Sequence, residues 1–279
     1  MILISGKEYR EKNIPILKDK IASLGTKLGL CVIQVGDDEA STVYVRQKEK
    51  LALELGYKYV GKKFPESVNN KEVINYIKEL NNDDSIDGII VQMPLPSHLD
   101  TELIQNSIDP DKDVDGLTHL NTGKLVNNVP TLVPCTPKGI MELLDEYKIN
   151  LDGMNAVVIG RSVLVGRPIV QLLTNRNATV TLCHSHTKDL ASITRNADIV
   201  VVAVGKAGFL TEDMVKDGVI VIDVGISRIN GKLYGDVDFA NVSKKASYIT
   251  PVPGGVGPMT VYELMNNVYE AHKIRRNRF

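Results

Sequence analysis

Short valine- and isoleucine-rich runs, bounded by glycine, aspartate or asparagine, recur in the second half of this chain at residues 156–160, 178–183, 198–204 and 218–224. No other feature constrains its fold as strongly. Each run suits one buried strand and is too short for a helix, and a helical stretch at 166–175 separates the first two. Strands that alternate with helices pair in parallel, because each helix carries the chain back across the sheet. This is the doubly wound pattern that binds nucleotides at the carboxyl ends of its strands. The first half repeats the alternation more loosely, with strand patterns at 28–36, 57–64 and 88–94 and helical ones at 40–55 and 71–80. The fold class is therefore expected to be α/β. Two α/β domains are expected, the second a Rossmann-like doubly wound parallel sheet, with a cleft between them. The first domain is expected over residues 1–136, completed by a C-terminal helix at 260–279, and the second over 137–259. A helix at 138–147, opened by Thr136 and Pro137, links the halves. Proline suits the first helical turn.

The chain has 279 residues, 43% hydrophobic and 24% charged, the composition of a globular protein. A net charge of −1 leaves no basic field for nucleic acid. The one basic cluster, Lys273-Ile274-Arg275-Arg276-Asn277-Arg278, reads as a solvated helix end that complements the helix dipole. Tryptophan is absent and aromatic residues are 5%, too few for a surface built to stack on nucleobases. No apolar run approaches membrane-spanning length, and the first residues lack the apolar stretch of a secretory leader. Cys31, Cys135 and Cys183 are scattered without metal-type spacing, which fits a reducing, cytoplasmic setting. Neither nucleic acid nor a membrane is expected as a partner.

Ile159-Gly160-Arg161-Ser162-Val163-Leu164-Val165-Gly166-Arg167-Pro168 stands between a strand and a helix. Glycine at the strand end permits a tight turn, and the helix N-terminus offers N–H groups and a positive dipole end to a pyrophosphate. The match to the glycine fingerprint is imperfect: Ser162 holds the second glycine position, and Gly166 falls one residue late. The next strand ends in Thr181-Leu182-Cys183-His184-Ser185-His186-Thr187, with no carboxylate to bind a ribose 2′-hydroxyl. Arg161 and Ser185 can instead hold a 2′-phosphate, by charge and by hydroxyl donation. NADP is therefore the expected cofactor. His184 and His186 are two apart but lack a third ligand nearby, so no metal is expected.

The first half carries its own ionisable groups. Tyr44 and Lys48 are four apart on a helix and share one face. Gln92 closes an apolar strand, at the end where α/β sheets hold their ligands. Asp109, Asp111, Asp113 and Asp115 crowd one loop, without the closing glutamate of a calcium site. One of these carboxylates can receive paired N–H donors from a heterocycle. Finally, PVPGGVGPMT at 251–260 packs three prolines and three glycines into ten residues. Such a loop is stiff and poor in side chains, so a flat ligand can come close to its backbone.

YVRQK, VQMPLP, DKDVDG, PCTPKG, GRSVLVGRP and PVPGGVGPMT occur in the order seen in the bifunctional methylenetetrahydrofolate dehydrogenase/methenyltetrahydrofolate cyclohydrolase family, which the chain resembles over essentially its full length. The resemblance implies two successive reactions. A hydride passes from 5,10-methylenetetrahydrofolate to NADP⁺, and water then opens the methenyl cation to 10-formyltetrahydrofolate. It also implies that Lys48 is the key cyclohydrolase residue, hydrogen-bonded to Gln92 and more easily deprotonated beside a bound cation. Tyr44 would orient the folate, and Asp115 would bind the amino-pyrimidinone edge of the pterin. Val91, Gln92 and Met93, with Pro253, Gly254, Gly255, Gly257 and Thr260, would line the folate site. Gly160, Arg161, Ser162, Ser185 and Ile226 would contact NADP. The glycines of 251–260 would let the nicotinamide and folate rings approach each other. A cytoplasmic homodimer serving one-carbon metabolism and purine biosynthesis is implied as well.

Two other readings compete. An NADP-dependent dehydrogenase of another small substrate, of the two-domain shikimate type, leaves Tyr44, Lys48, Gln92 and PGGVGPMT unexplained. A non-catalytic nucleotide sensor needs no ionisable cluster such as Lys48 with Asp115.

Overall fold

The structure is a computed structural model in which residues 1–276 are described; Asn277 and Arg278 of the basic cluster lie outside the described residues. In chain order the elements are β1 (Ile2–Leu3), α1 (Gly6–Ala22), β2 (Gly29–Val35), α2 (Glu39–Glu54), β3 (Lys58–Phe64), α3 (Asn70–Asn82) and β4 (Gly88–Val91). There follow α4 (Thr101–Gln105), α5 (His119–Val126), α6 (Cys135–Glu146), β5 (Asn155–Ile159), α7 (Gly166–Asn175), β6 (Thr179–Cys183), α8 (Leu190–Thr194) and β7 (Ile199–Val202). The chain ends with β8 (Ile220–Asp223), β9 (Ser227–Ile229), β10 (Lys232–Tyr234), α9 (Phe239–Val242), β11 (Tyr248–Ile249) and α10 (Gly257–Arg276).

The chain divides into two compact units. A wide-sheet unit comprises Met1–Glu11 and Thr136–Thr260, and a narrow-sheet unit comprises Lys12–Cys135 and Val261–Phe279. The wide sheet has the order β1-β11-β8-β7-β5-β6, and every pairing in it is parallel. β5 lies between β6 and β7, so the chain reverses its direction of travel there. That switch point is where a doubly wound sheet opens a crevice for ligand. Every residue of β7 and β8 is buried, as expected for a parallel sheet covered on both faces. β9 and β10 form an antiparallel hairpin outside this sheet.

Residues 1–11 correct the sequence reading, which placed them in the first domain. β1 pairs with β11, with Ile2 opposite Tyr248 and Leu3 opposite Ile249. The Ile4 N–H continues the ladder to the Ile249 carbonyl at 2.9 Å. A strand as short as β11 leaves main-chain groups unpaired at the sheet edge, and β1 satisfies them.

The narrow sheet has the order β3-β2-β4, also parallel, with all of β2 buried at its centre. Within this unit the last helix is held by polar contacts rather than left in solvent. The Tyr57 hydroxyl donates to the Met265 carbonyl at 2.8 Å, and His272 Nδ1 lies 2.8 Å from Asp87 Oδ1. Arg275 bonds the Ile86 carbonyl at 2.9 Å, Asp87 at 3.3 Å and Asp84 at 3.0 Å. Its place in the sequence among other cations suggested a solvated helix end, but its carboxylate partners come from the turn before β4.

Candidate active site

In the narrow-sheet unit, α2 begins at Asp38, whose carboxylate accepts from the Ser41 N–H at 2.7 Å and so caps the helix. From this start Ser41, Lys48, Leu51, Ala52 and Leu55 fall on one buried stripe. Lys48 thus occupies a position where an apolar residue is the norm, and it is only 8% exposed. Its Nζ donates to Gln92 Oε1 at 2.8 Å. Gln92 is itself held on two sides. Its main-chain N–H continues the β4 ladder to the Ile33 carbonyl at 2.8 Å, and its Nε2 donates to the Met93 carbonyl at 2.7 Å. With the amide nitrogen so engaged, the amide oxygen faces Lys48. Tyr44, one turn earlier on α2, presents its ring at the surface.

Asp115 supplies the charge opposite Lys48. Its loop is fixed from beneath by two fully buried side chains. Lys112 Nζ donates to the Leu80 and Asp83 carbonyls at 2.7 and 2.8 Å, at the end of α3. Asp113 accepts from the Thr118 N–H at 2.8 Å and from Asn121 Nδ2 at 3.0 Å. Among the loop's aspartates, Asp113 is therefore an anchor, and Asp115 is left to face Lys48. Cys135 Sγ lies 3.6 Å from Asp115 Oδ1, a neighbour that the sequence reading did not assign to the site. Burial pushes the Lys48 ammonium below its ordinary 10.5, while Asp115 and Cys135 act against that shift. Burial likewise pushes Asp115 up, and Lys48 pulls it back. Besides the bound cation that the family resemblance implies, burial thus lowers the pKa of Lys48 and makes its proton easier to remove.

Val91 and Met93 flank Gln92, but they do not offer the same surface. The Val91 side chain is in the hydrophobic core beneath the sheet, so it can meet a ligand only through its main chain. The Met93 carbonyl is engaged by Gln92 and, at 3.3 Å, by the Ser41 hydroxyl.

In the wide-sheet unit, Gly160 ends β5 with φ +116°, a conformation that L side chains rarely adopt. A Cβ there would also overlap the Ala203 carbonyl, so the turn after β5 lies directly against the end of β7. Ser162 Oγ accepts from the Val165 and Gly166 N–H groups at 3.2 and 3.4 Å, capping α7 in place of the N-cap side chain. Gly166 falls one residue late for the fingerprint, yet it performs the packing role of the third glycine. A Cβ at Gly166 would overlap the Gly160 carbonyl. Arg161 and Ser185 are both exposed, and no acidic residue follows β6 before Asp189. The glycine turn, the capped helix start and the lack of a carboxylate after β6 suit a dinucleotide carrying a 2′-phosphate. His184 Nδ1 accepts from the His186 N–H at 3.2 Å, which commits that nitrogen within the turn.

The 251–260 loop corrects one expectation. Gly255 was expected to make room for ligand rings. It is buried instead, and a Cβ on it would press on Pro251 O and the Thr250 side chain. Its own carbonyl is where Gly6 approaches, and a Cβ on Gly6 would overlap it. The Lys7 N–H also bonds the Gly254 carbonyl at 3.0 Å. Gly255 is thus required by the tight turn of its own loop, and Gly6 by the approach of the N-terminal segment to the Gly255 carbonyl. Gly254, with φ +106° and open space at its Cβ position, is the glycine whose surroundings leave room for a ligand. Pro253 is exposed, Gly257 lies beside Ile226, and the Thr260 hydroxyl bonds Thr136 Oγ1 at 2.8 Å.

Two family models cover the chain. The tetrahydrofolate dehydrogenase/cyclohydrolase catalytic domain matches residues 4–115, and the NAD(P)-binding domain of that family matches residues 134–276. The chain belongs to the tetrahydrofolate dehydrogenase/cyclohydrolase family. It is 51% identical to the bifunctional protein FolD of Nautilia profundicola over 277 residues, 98% of each chain. Among solved structures it is similar to the FolD dehydrogenase/cyclohydrolase of Campylobacter jejuni, with a TM-score of 0.97 and 48% identity over 99% of both chains. The FolD of Trypanosoma brucei, solved with NADP and an inhibitor, gives a TM-score of 0.94 at 37% identity, covering 100% of this chain and 99% of that one. Shikimate dehydrogenase from Aquifex aeolicus, at a TM-score of 0.54 and 14% identity, shares the fold alone. This dehydrogenase/cyclohydrolase carries Tyr44, Lys48, Gln92 and Asp115 on its narrow-sheet unit. Gly160, Arg161, Ser162, Ser185 and Ile226 are on its wide-sheet unit.

Proposed function

We propose that Lys48 is the general base of the hydrolytic reaction, that Gln92 and Asp115 orient it, and that Arg161 and Ser185 select NADP over NAD. The observation that carries this reading is the buried Lys48 ammonium, bonded to Gln92 at 2.8 Å with Asp115 as its counter-charge. NADP⁺, when bound, supplies the hydride acceptor for 5,10-methylenetetrahydrofolate. For that step the protein's task is positioning. Asp115 receives the N–H donors of the pterin edge, Tyr44 packs on the ring system, and Lys48 in its neutral form does not repel the methenyl cation as it develops.

In the second reaction, water attacks the one-carbon bridge of that cation. Lys48 Nζ takes a proton from the water as the C–O bond forms. The resulting carbinol loses its hydroxyl proton, the bond from the bridge carbon to N5 breaks, and Lys48 returns its proton to N5. One proton is released overall, and the product is 10-formyltetrahydrofolate. Only neutral Lys48 can accept the first proton. Hydrolysis is therefore expected to rise with pH along a single-proton limb that lies below the 10.5 of an ordinary lysine. A pH profile of kcat for hydrolysis that is flat, or that falls as pH rises, would remove Lys48 as base.

Arg161→Ala is expected to raise KM for NADP⁺ by about tenfold, the loss of one charge-assisted contact, and to leave KM for NAD⁺ nearly unchanged. Equal effects on both dinucleotides would discard the 2′-phosphate assignment. We also read the enzyme as a cytoplasmic homodimer, on the family resemblance. The three cysteines are free and buried, as suits a reducing compartment, and no helix among the described residues is long and apolar enough to cross a membrane. Sedimentation of the purified chain tests the dimer.

A further inference from the structure

Two buried carboxylates of the wide-sheet unit take no part in the chemistry above. Asp223 is the last residue of β8 and is 3% exposed; Asp236 follows the β9–β10 hairpin and is 0% exposed. Asp223 accepts from the Asp236 N–H at 2.8 Å and from the Val237 N–H at 3.0 Å. The Asp236 carboxylate in turn accepts three main-chain N–H bonds from the loop after β7, from Val204 at 2.6 Å, Gly205 at 2.9 Å and Lys206 at 2.7 Å. The end of β8 thus holds the backbone at 236–237, and the Asp236 side chain holds 204–206. Glycines line both contacts. A Cβ on Gly225 would overlap the Asp236 carboxylate, and one on Gly235 would overlap that of Asp223. The Ser227 hydroxyl adds a bond to the Gly205 carbonyl at 3.4 Å, tying the start of the hairpin to the same loop.

The position of this clasp bears on the cofactor. The 204–206 loop follows Ala203, whose carbonyl lies against the Gly160 turn at the switch point. With the 2′-phosphate assigned beyond β6, the opposite end of the dinucleotide must extend over β7 and β8, because β5 separates β6 from them. The residues that follow those two strands are 204–206 and 224–226, the segments that the two carboxylates join.

We propose that Asp236 is a positioning residue of the dinucleotide site, holding the 204–206 loop and, with Asp223, the 224–226 turn in the shape that receives the nicotinamide half of NADP. An inward carboxylate serves here because it accepts several N–H bonds without offering a donor of its own. Main-chain N–H groups on this loop are thereby turned toward the protein interior, and the opposite face of the loop is left for ligand. The inference rests on the NADP reading given above.

Asp236→Asn tests it. The amide has one acceptor oxygen and places an NH₂ against main-chain donors, so the loop loses its fixed shape. KM for NADP⁺ is expected to rise about tenfold. Hydrolysis of methenyltetrahydrofolate without dinucleotide is expected to stay within about twofold, because Lys48, Gln92 and Asp115 belong to the other unit. An unchanged KM for NADP⁺ would overturn the proposal. So would a parallel loss of both activities, which is what a purely structural clasp predicts. If Asp236→Asn does not fold, Gly225→Ala decides, since it displaces the carboxylate without removing it and should give the same split. Wild-type protein that fails to reduce NADP⁺ would sink the functional reading instead, and would do so before either variant is made.

Discussion

Lys48→Met is expected to abolish hydrolysis while leaving the oxidation measurable, so that methenyltetrahydrofolate accumulates. Methionine matches the lysine stem in length and sits on the same buried stripe as Leu51, Ala52 and Leu55, so the helix should keep its packing. What disappears is the proton acceptor. General-base catalysis is worth about 10²–10⁴ in rate, and the hydrolytic kcat should fall by that much. Hydride transfer needs no protein base, so its loss should be limited to weaker placement of the folate. Asp115 would also lose the cation that opposes its burial, so its carboxyl should protonate more readily and folate KM should rise at lower pH. Lys48→Arg should resemble Lys48→Met in hydrolysis, because a guanidinium stays charged at any working pH. Hydrolysis that survives in either variant would remove Lys48 from its assigned role.

Gly160→Val should produce the opposite pattern. The position has φ +116°, and the new side chain would strike the Ala203 carbonyl, which is main chain and cannot swing aside. The turn after β5 would open away from β7, and the start of α7 with its Ser162 cap would move with it. Oxidation with NADP⁺ is expected to fall by more than about a hundredfold in kcat/KM, since strain and clash fall together on the phosphate turn. Hydrolysis, which we assign to residues of the other unit, should persist. If Gly160→Val and Lys48→Met impair the same activity, the division of roles between the two units is wrong.

Sequence patterning captured the sheet-forming runs because their burial is on both faces, and such strands read as continuous valine and isoleucine. β2, β5, β7 and β8 were all legible for that reason. α1 was not, since Gly6–Ala22 carries Pro15 inside it and many lysines, which blur a helical stripe. β1 was missed as well. Its two residues acquire meaning only by pairing with β11, a contact between the two ends of the chain. Lys48, Gln92 and Asp115 could be picked out as chemistry-bearing residues, yet burial as the main cause of the lysine's shift could not be read from spacing. Gly255 shows the converse. Its loop's composition suggested room for a ligand, and that room is taken by Pro251 and the Thr250 side chain of the loop itself. Asp223 and Asp236 were invisible for the same reason as β1. Their partners are main-chain N–H groups, which leave no mark on the sequence.

The most direct test is a time course of purified protein with 5,10-methylenetetrahydrofolate and NADP⁺, following NADPH, methenyl absorbance and the final folate. NADPH formation and 10-formyltetrahydrofolate as the end product are expected, with neither formed faster than in a no-enzyme control if NADP⁺ is withheld. Absence of NADPH, or methenyltetrahydrofolate as the final product of the wild-type protein, would contradict this expectation.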